Sequence, residues 1–329
     1  TIMSNNLKVI LCASYEDAVN YAKEHNVKAT VEAEYGAECM TGSVITMAHH
    51  GTRSSNPAPC NWSDVPVLTD GEILVSHLDL DSMGGIMALM GTKPDNPEFW
   101  KAAEFIDLNG PKPKNMNQLS QDIQDKLNAF YNYTDKAVPD LRRSSGAVDI
   151  TNLVLDTADA ISDIVNEDRP RHNEMIEAGI KWKQDIYDKV EKCIYLDSPN
   201  VRVFSTKNLF CNVNYESSVF NRVSPAIVSY NSTRKDITLS FYDENAIGLN
   251  ACEIVQAAWG PLAGGHAGIA GSPRGQEMGL GDAIELANYV DELIQERILN
   301  DAGSGIETPE TDGIEIEEYD EDFDDFEDR

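Results

Sequence analysis

Short apolar runs alternate with amphipathic stretches along the first part of the chain, and this alternation predicts an α/β fold. Apolar runs at 7–12 (LKVILC), 43–47 (SVITM) and 73–75 (ILV) are typical of buried strands in a parallel sheet. The stretch at 15–25 has helical spacing, and Ser14 before it is a candidate N-cap residue. We therefore predict a lobe with a parallel sheet and helices on both faces of that sheet.

The pattern changes twice farther along the chain. Residues 115–197 have mainly helical spacing, which predicts a helical segment that completes the first lobe and links it to a second. Strand-like runs dominate after residue 198, and the hairpin-like segment 231–236 (NSTRKD) joins two of them. The second lobe is therefore predicted to be a smaller α/β unit with a mixed sheet. The predicted parts are a first lobe, a helical segment, a second lobe and a tail, at 1–114, 115–197, 198–300 and 301–329.

Polar side chains follow the apolar run 73–75. His77, Asp79 and Asp81 come directly after it, and Gly84-Gly85 then leads into another apolar stretch that is typical of a helix start. One imidazole and two carboxylates within five residues are compatible with half of a divalent metal site at the carboxyl end of a parallel strand. The alternative is that the carboxylates cap the following helix.

Two further apolar stretches end in groups that can bind metal ions. His49 and His50 follow the run 43–47. A helix is predicted at 98–105, and Asp107 comes after it, at the end of an apolar stretch and before a turn. A histidine pair is often incidental, and Asp107 is equally well explained as a turn or cap residue. If the strands are neighbours, these groups converge with those after residue 75. Asp156 lies in an amphipathic stretch, where a solvated helix face is the favoured interpretation.

A glycine-rich segment lies in the second predicted lobe, at 260–275 (GPLAGGHAGIAGSPRG). Six of its sixteen residues are glycines, which allow a backbone to approach an anion closely and to direct amides toward it. His266 and Arg274 could neutralise a phosphate or a carboxylate there. The alternative is an ordinary glycine-rich surface loop. The segment precedes a predicted helix at 282–299.

Composition and charge limit the classes of partner. The 329 residues, 41% of them apolar, are enough for two domains with sizeable cores. The formal charge is −30, and the segment 307–329 holds 13 acidic residues and one arginine, which leaves −18 for the rest of the chain. This excess argues against a groove for long nucleic acids, whereas a small anionic ligand remains compatible. We expect the tail to be disordered, with solubility as its simplest role and binding to an unknown partner as the alternative.

The cysteines and the apolar runs bear on location. Six cysteines are scattered without CxxC spacing, so reduced thiols are favoured over a zinc site or a disulfide framework. The chain contains no uninterrupted apolar run of about 18 residues, and its first residues lack the features of a secretory signal. We expect a cytoplasmic protein that does not bind membranes. A homodimer is also compatible with the sequence.

Three of these motifs together resemble the DHH phosphoesterase superfamily. HLDLDSMGG at 77–85 resembles its first motif, a histidine followed by two aspartates two residues apart and then small residues. GGHAGIAG at 264–271 is similar to the GGH motif of the DHH-associated domain, and AHHG at 48–51 is similar to the Asp-His-His motif, with Ala48 where aspartate is expected. The resemblance spans about residues 40–300. The motif order is atypical, because the histidine pair precedes the first motif here and follows it in the family.

The resemblance implies hydrolysis of a phosphoester or phosphoanhydride with two manganese ions, for which magnesium or cobalt could substitute. It implies a set of metal ligands consisting of His49, His77, Asp79, Asp81 and Asp107. His50 and Asp81 would be catalytic, and Gly264, Gly265 and His266 would bind the substrate, with Arg274 as a further candidate from the chemistry of the loop. Asp156-Thr157 is similar to a later aspartate motif, with Ala158 in place of glycine.

We therefore expect a metal-dependent phosphodiesterase or phosphatase that acts on a small nucleotide, a dinucleotide or a short oligonucleotide. Two cations would activate a water molecule and stabilise the charge that develops on the phosphoryl group. The alternative, suggested by Ala48 and by the motif order, is a catalytically weak protein that binds or sequesters nucleotides and keeps the GGH loop.

Overall fold

A computed structural model of the protein describes residues 7–31, 43–49, 55–139, 141, 144–273 and 276–303. His50, Arg274 and residues 304–329 of the predicted tail lie outside these ranges. The predictions for them therefore remain predictions. Within the described ranges, each helix is too short or too polar to cross a membrane.

The first lobe contains a five-stranded sheet. Its strands are β1 (Leu7–Cys12), β2 (Val27–Val31), β3 (Ile45–Met47), β4 (Gly71–Val75) and β5 (Ala147–Asp149). They lie in the order β3-β2-β4-β1-β5. The first four strands are parallel, and β5 pairs antiparallel with β1. The carboxyl ends of β3 and β4 consequently lie at the same edge of the sheet.

Helices cover both faces of this sheet. Helix α1 (Tyr15–Ala22) begins at the predicted N-cap, where Ser14 Oγ accepts a hydrogen bond from the Asp17 amide, and it packs on one face. The other face is covered by α2 (Leu80–Leu89), α3 (Pro97–Asn109), α5 (Gln121–Ala137) and α6 (Thr151–Val165). The short helix α4 (Pro113–Met116) follows α3. The alternation along β1 explains this division, since Val9 and Leu11 face the larger cluster and Ile10 faces the smaller one.

Helix α7 (His172–Glu191) packs along α5 and leads to the second lobe. Gly179 allows this close approach, because a Cβ atom at that position would lie 2.4 Å from the Ala129 nitrogen. The second sheet begins at β6 (Ile194–Asp197), inside the segment predicted as helical.

The second lobe has a six-stranded mixed sheet. After β6 the chain forms β7 (Val201–Thr206), β8 (Glu216–Ser217), β9 (Arg222–Val223), β10 (Ala226–Asn231), β11 (Asp236–Phe241), α8 (Glu244–Ile247), α9 (Ala251–Trp259), β12 (Gly264–His266), β13 (Ile269–Gly271) and α10 (Leu280–Gly303). The order is β12-β13-β11-β10-β7-β6, in which β7 and β10 are parallel and the other pairs antiparallel. Strands β8 and β9 form a separate ribbon.

The predicted α/β class with two lobes is confirmed, and two local predictions are corrected. The helix predicted from residue 98 to 105 extends to Asn109, so Asp107 belongs to the helix and not to a turn after it. The glycine-rich segment is largely the hairpin of β12 and β13, because β13 pairs with β11 of the second sheet and β12 pairs with β13 at the edge of that sheet. The hairpin predicted at 231–236 joins β10 and β11, as expected.

Candidate metal centre

Three of the predicted metal ligands meet at the carboxyl edge of the first sheet. His49 follows β3, Asp81 lies in the first turn of α2 and Asp107 lies in the last turn of α3. One ligand atom of each residue lies within 4.8 Å of the corresponding atoms of the other two. We refer to these three residues as the acidic cluster.

The imidazole lies between the two carboxylates. His49 Nε2 is 3.5 Å from Asp81 Oδ2 and 3.3 Å from Asp107 Oδ2. The His49 and Asp81 side chains are buried, whereas the Asp107 side chain is 24% exposed. The acidic cluster is therefore reached from solvent on the Asp107 side.

The spacing and chemistry of these groups fit a shared divalent cation. Ligand atoms at about 2.1 Å from one ion lie about 3.0–3.4 Å from each other in octahedral or tetrahedral sites. The two distances from His49 Nε2 are close to this range. Two carboxylate oxygens and one imidazole nitrogen form a mixed donor set that suits manganese and related divalent ions.

The helix ends add an electrostatic reason for a cation. Asp81 lies at the N-terminus of α2, where the partial positive charge of the helix favours a carboxylate. Asp107 lies in the last turn of α3, where the partial negative charge disfavours one. A cation beside Asp107 would offset this unfavourable interaction.

Two glycines in α2 hold the helix against its support. A Cβ atom at Gly84 would lie 2.4 Å from Cys60 Cβ, and one at Gly85 would lie 2.7 Å from Pro59 Cβ. Pro59 and Cys60 belong to a 3-10 turn, Pro59–Asn61, on which α2 packs. Gly84 and Gly85 therefore allow α2, the helix that holds Asp81, to pack closely on this turn.

His77 and Asp79 pair with each other beside the acidic cluster. His77 Nε2 is 2.9 Å from Asp79 Oδ2, and Ser76 Oγ is 2.8 Å from His77 Nδ1. Asp79 is also the N-cap of α2, because its Oδ1 accepts a hydrogen bond of 3.1 Å from the Ser82 amide. The helix-cap alternative thus applies to Asp79, and its second oxygen faces the histidine.

The Asp79 carboxylate is held in its charged form. Burial alone would raise its pKa, but the contacts with His77, Asp81 and Ser82 together place the pKa well below its usual range. An ionised oxygen that already bonds His77 is a second candidate position for a cation.

Two neighbours of these carboxylates were not indicated by the sequence. Burial, Asp79 and Asp107 raise the pKa of Tyr131, so its hydroxyl stays protonated at neutral pH. Burial and nearby acids, Asp81 foremost among them, raise the pKa of the Cys60 thiol in the same way. Tyr131 lies in the amphipathic pattern of α5, where it has the same periodicity as ordinary core residues.

The GGH segment is an ordered hairpin with an exposed histidine. His266 and Gly265 are exposed, and the Ala267 carbonyl at the tip accepts a hydrogen bond of 2.8 Å from the Ala251 amide. Gly265 has a φ of +148°, and a Cβ atom there would lie 2.5 Å from the Ile269 carbonyl oxygen. Gly264 has no comparable restriction, since the nearest atom to an added Cβ is 4.0 Å away. Of the two adjacent glycines, the hairpin therefore requires Gly265 but not Gly264.

Asp156 is exposed on α6, as the solvated-face interpretation predicts. Its neighbour Thr157 is buried and donates a hydrogen bond of 2.7 Å to the Leu153 carbonyl within the same helix. Asp156 lies outside the acidic cluster.

No protein-family model and no curated protein matches the chain. Solved structures to which it is similar include the following three. A pGpG-specific phosphodiesterase, PggH from Vibrio cholerae, is 12% identical over 90% of this chain and 99% of that chain, with a TM-score of 0.39. An exopolyphosphatase-related protein from Bacteroides fragilis is 9% identical over 86% and 75%, with a TM-score of 0.37. An uncharacterized protein from Helicobacter pylori G27 is 14% identical over 65% and 58%, with a TM-score of 0.22.

Proposed function

We propose that this protein is a phosphohydrolase that uses divalent metal ions and acts on a small phosphorylated substrate. The acidic cluster is the observation that carries the proposal, because one imidazole lies 3.3 Å and 3.5 Å from two carboxylates. The cluster lies at the carboxyl edge of a mainly parallel sheet, where α/β proteins commonly bind their ligands.

Five side chains are the candidates for holding metal ions. His49, Asp81 and Asp107 would bind the first ion, and His77 with Asp79 would bind a second. Bound divalent ions lower the pKa of a water molecule and stabilise the charge that develops on a phosphoryl group. Manganese is the proposed ion, with magnesium or cobalt as substitutes, since the donors combine imidazole nitrogen with carboxylate oxygen.

Other groups of the chain would orient the substrate. Tyr131, whose hydroxyl remains protonated, could donate a hydrogen bond to a phosphoryl oxygen. We further propose that His266 contacts the part of the substrate that does not react, and that His50 and Arg274 contribute as predicted from the sequence.

The charge of the chain favours small substrates. With a formal charge of −30, the protein repels the backbone of long nucleic acids, whereas a compact anion neutralised by metal ions does not need an extended basic surface. A nucleotide, a dinucleotide or a short oligonucleotide is therefore the proposed substrate class.

A hydrolysis screen with manganese across these substrates tests the proposal. We expect release of mononucleotide or phosphate by the wild-type protein and background rates for Asp81→Asn. Asp70→Asn is the matched control, because Asp70 lies one residue before β4, at the opposite end of the strand, and its side chain is 64% exposed. The control should keep full activity.

Two outcomes would contradict the proposal. Equal turnover by folded Asp81→Asn would remove the acidic cluster from the reaction. Nucleotide binding without hydrolysis, at any manganese concentration, would favour the sequestering alternative. That alternative is consistent with the buried, apolar Ala48 beside His49.

A further inference from the structure

A buried lysine in the segment after α3 joins the two lobes. Lys112 lies five residues after Asp107 and is 4% exposed. Its Nζ donates a hydrogen bond of 2.9 Å to Glu244 Oε2, and Glu244 begins α8 of the second lobe. Burial would raise the pKa of Glu244, but the bond from Lys112 and further contacts lower it, so the carboxylate is charged at neutral pH.

The ion pair lies directly against the tip of the GGH hairpin. Gly268 occupies that tip, two residues after His266, and it is buried. A Cβ atom at Gly268 would lie 2.7 Å from Lys112 Nζ and 2.9 Å from Glu244 Oε1. A glycine at this position is therefore what allows the ammonium and the carboxylate to touch the hairpin backbone.

Rigid contacts continue from the ion pair on both sides. On the first lobe, Asn115 Nδ2 donates to the carbonyls of Asn109 and Gly110 at 2.8 Å and 3.0 Å, which fixes the loop between α3 and Lys112. On the second lobe, the Phe241 amide donates to the Gly268 carbonyl at 3.0 Å. A short, hydrogen-bonded path thus runs from the helix of Asp107 to the hairpin of His266.

The Lys112 side chain is 6% exposed and that of Glu244 is 25% exposed. Such a pair is a weak source of net stability, because the buried ammonium loses most of its hydration. Its effect is greater on geometry, since the buried Lys112 ammonium cannot leave Glu244 without remaining unpaired. The neighbouring pair, Lys114 Nζ to Asp243 Oδ2 at 3.0 Å, joins the same lobes, but its side chains are 26% and 37% exposed. An exposed pair of this kind contributes little to orientation or stability.

We propose that Lys112, Glu244 and Gly268 position the GGH hairpin relative to the acidic cluster, so that one substrate can contact both His266 and the metal ions. This inference rests on the proposed function, because it assigns the second lobe to the binding of that same substrate. Lys112 is a positioning residue here. It acts through the hairpin, whereas the metal ligands act on the reacting group.

Steady-state kinetics with Lys112→Met test the inference, and Lys114→Met is the matched control. We expect KM to rise about tenfold in Lys112→Met with a smaller change in kcat, because a displaced hairpin weakens substrate binding. Gly268→Ala should raise KM in the same way without removing a charge. Affinity for manganese, measured by calorimetry, should be unchanged in both variants, and Lys114→Met should resemble the wild type.

Hydrogen exchange gives a readout that does not need activity. In Lys112→Met, the amides of the hairpin peptide 264–271 should exchange at least about tenfold faster than in the wild type, and in Lys114→Met they should not. The double variant Lys112→Glu/Glu244→Lys should restore part of the protection and lower KM again.

Equal exchange in Lys112→Met and Lys114→Met would overturn the inference, even if the protein proves to be a hydrolase. The same holds if Gly268→Ala leaves KM unchanged. Conversely, faster exchange in Lys112→Met without any hydrolysis of the screened substrates would contradict the proposed function and leave the positioning contact in place.

Discussion

The acidic cluster and the GGH hairpin use opposite means to present polar groups. In the cluster, His49 and Asp81 are buried side chains at the ends of separate elements, and α3 brings a third ligand to them. In the hairpin, His266 is exposed, and the backbone around it is fixed by strand pairing. Buried groups with restricted geometry suit the binding of an ion, whereas an exposed group on a rigid strand suits contact with a ligand that enters from solvent. In the proposed function, the first lobe would therefore bind the metal ions and the second would contact the substrate.

The largest expected effect is from a change in the acidic cluster. Asp107→Asn keeps the shape of the side chain and removes a charged ligand, and Asp107 is the most exposed of the three ligands, so the fold should tolerate the change. Loss of a group that only hydrogen-bonds to a metal ligand typically lowers metal affinity by about 10–100-fold. Manganese affinity should fall by more than this in Asp107→Asn, because a ligand itself is changed. Calorimetric titration of manganese measures this. Unchanged affinity would mean that the cluster does not hold the ion.

A change beneath the cluster should reduce stability. In Gly84→Ala, the new methyl group meets Cys60 Cβ at 2.4 Å and a Trp100 ring atom at 2.8 Å. We expect a loss of about 1–3 kcal/mol in the free energy of unfolding, because the core around α2 has no room for it. Urea denaturation measures the loss.

Gly281→Ala is the matched control for this prediction. Gly281 lies in α10, and no atom lies within 4 Å of an added Cβ. This variant should be as stable as the wild type or more stable by up to about 1 kcal/mol, since alanine favours a helix. Equal effects of the two substitutions would contradict the packing described for α2.

Substitutions of the two adjacent glycines of the hairpin, Gly264 and Gly265, should differ in their effect on substrate binding. Gly265→Ala forces a side chain onto a residue with a φ of +148° and against the Ile269 carbonyl, whereas the nearest atom to the new methyl group in Gly264→Ala is Gln256 Nε2 at 4.0 Å. We expect Gly265→Ala to raise KM without changing manganese affinity, and Gly264→Ala to have little effect. Kinetics on both variants with one substrate measure the difference. A reversed order would show that the hairpin geometry does not control substrate binding.

The smallest effect on the fold is expected from His266→Ala. Because His266 is exposed, the free energy of unfolding should change by no more than about 0.5 kcal/mol. KM should nevertheless rise about tenfold, which is the typical cost of losing a hydrogen bond to a charged group. Thermal unfolding and kinetics on the same preparation separate the two effects. Unchanged KM would remove His266 from the substrate site.

Much of the fold could be predicted because its signals are local. The apolar run at 7–12 coincides with β1, and the polar segment at 231–236 coincides with the turn between β10 and β11. Apolar periodicity and turn residues act over a few neighbouring positions, so the sequence displays them directly. The prediction ends α3 too early. The cause is that Ile106 and Leu108 flank Asp107 in an apolar stretch that leads directly into a turn, so the stretch resembles a connection and not the last turn of a helix.

The site could be predicted in part. Parallel strands bring their carboxyl ends to one edge, so His49 and Asp81 could be expected to meet. Asp79 illustrates an ambiguity that the sequence leaves open, because the same carboxylate suits a helix cap and a metal ligand. Lys112 and Glu244 are 132 residues apart, and Tyr131 approaches the site only through the packing of α5. Contacts of this kind depend on tertiary packing, which leaves no local pattern.

The central claim is that the acidic cluster binds a divalent cation. Crystals grown with manganese, measured at the manganese absorption edge, test it directly, since anomalous scattering locates the ion without reference to activity. We predict a peak between His49 Nε2, Asp81 Oδ2 and Asp107 Oδ2, which lie within 4.8 Å of one another. Crystals of manganese-bound protein with peaks only at other positions would contradict the claim.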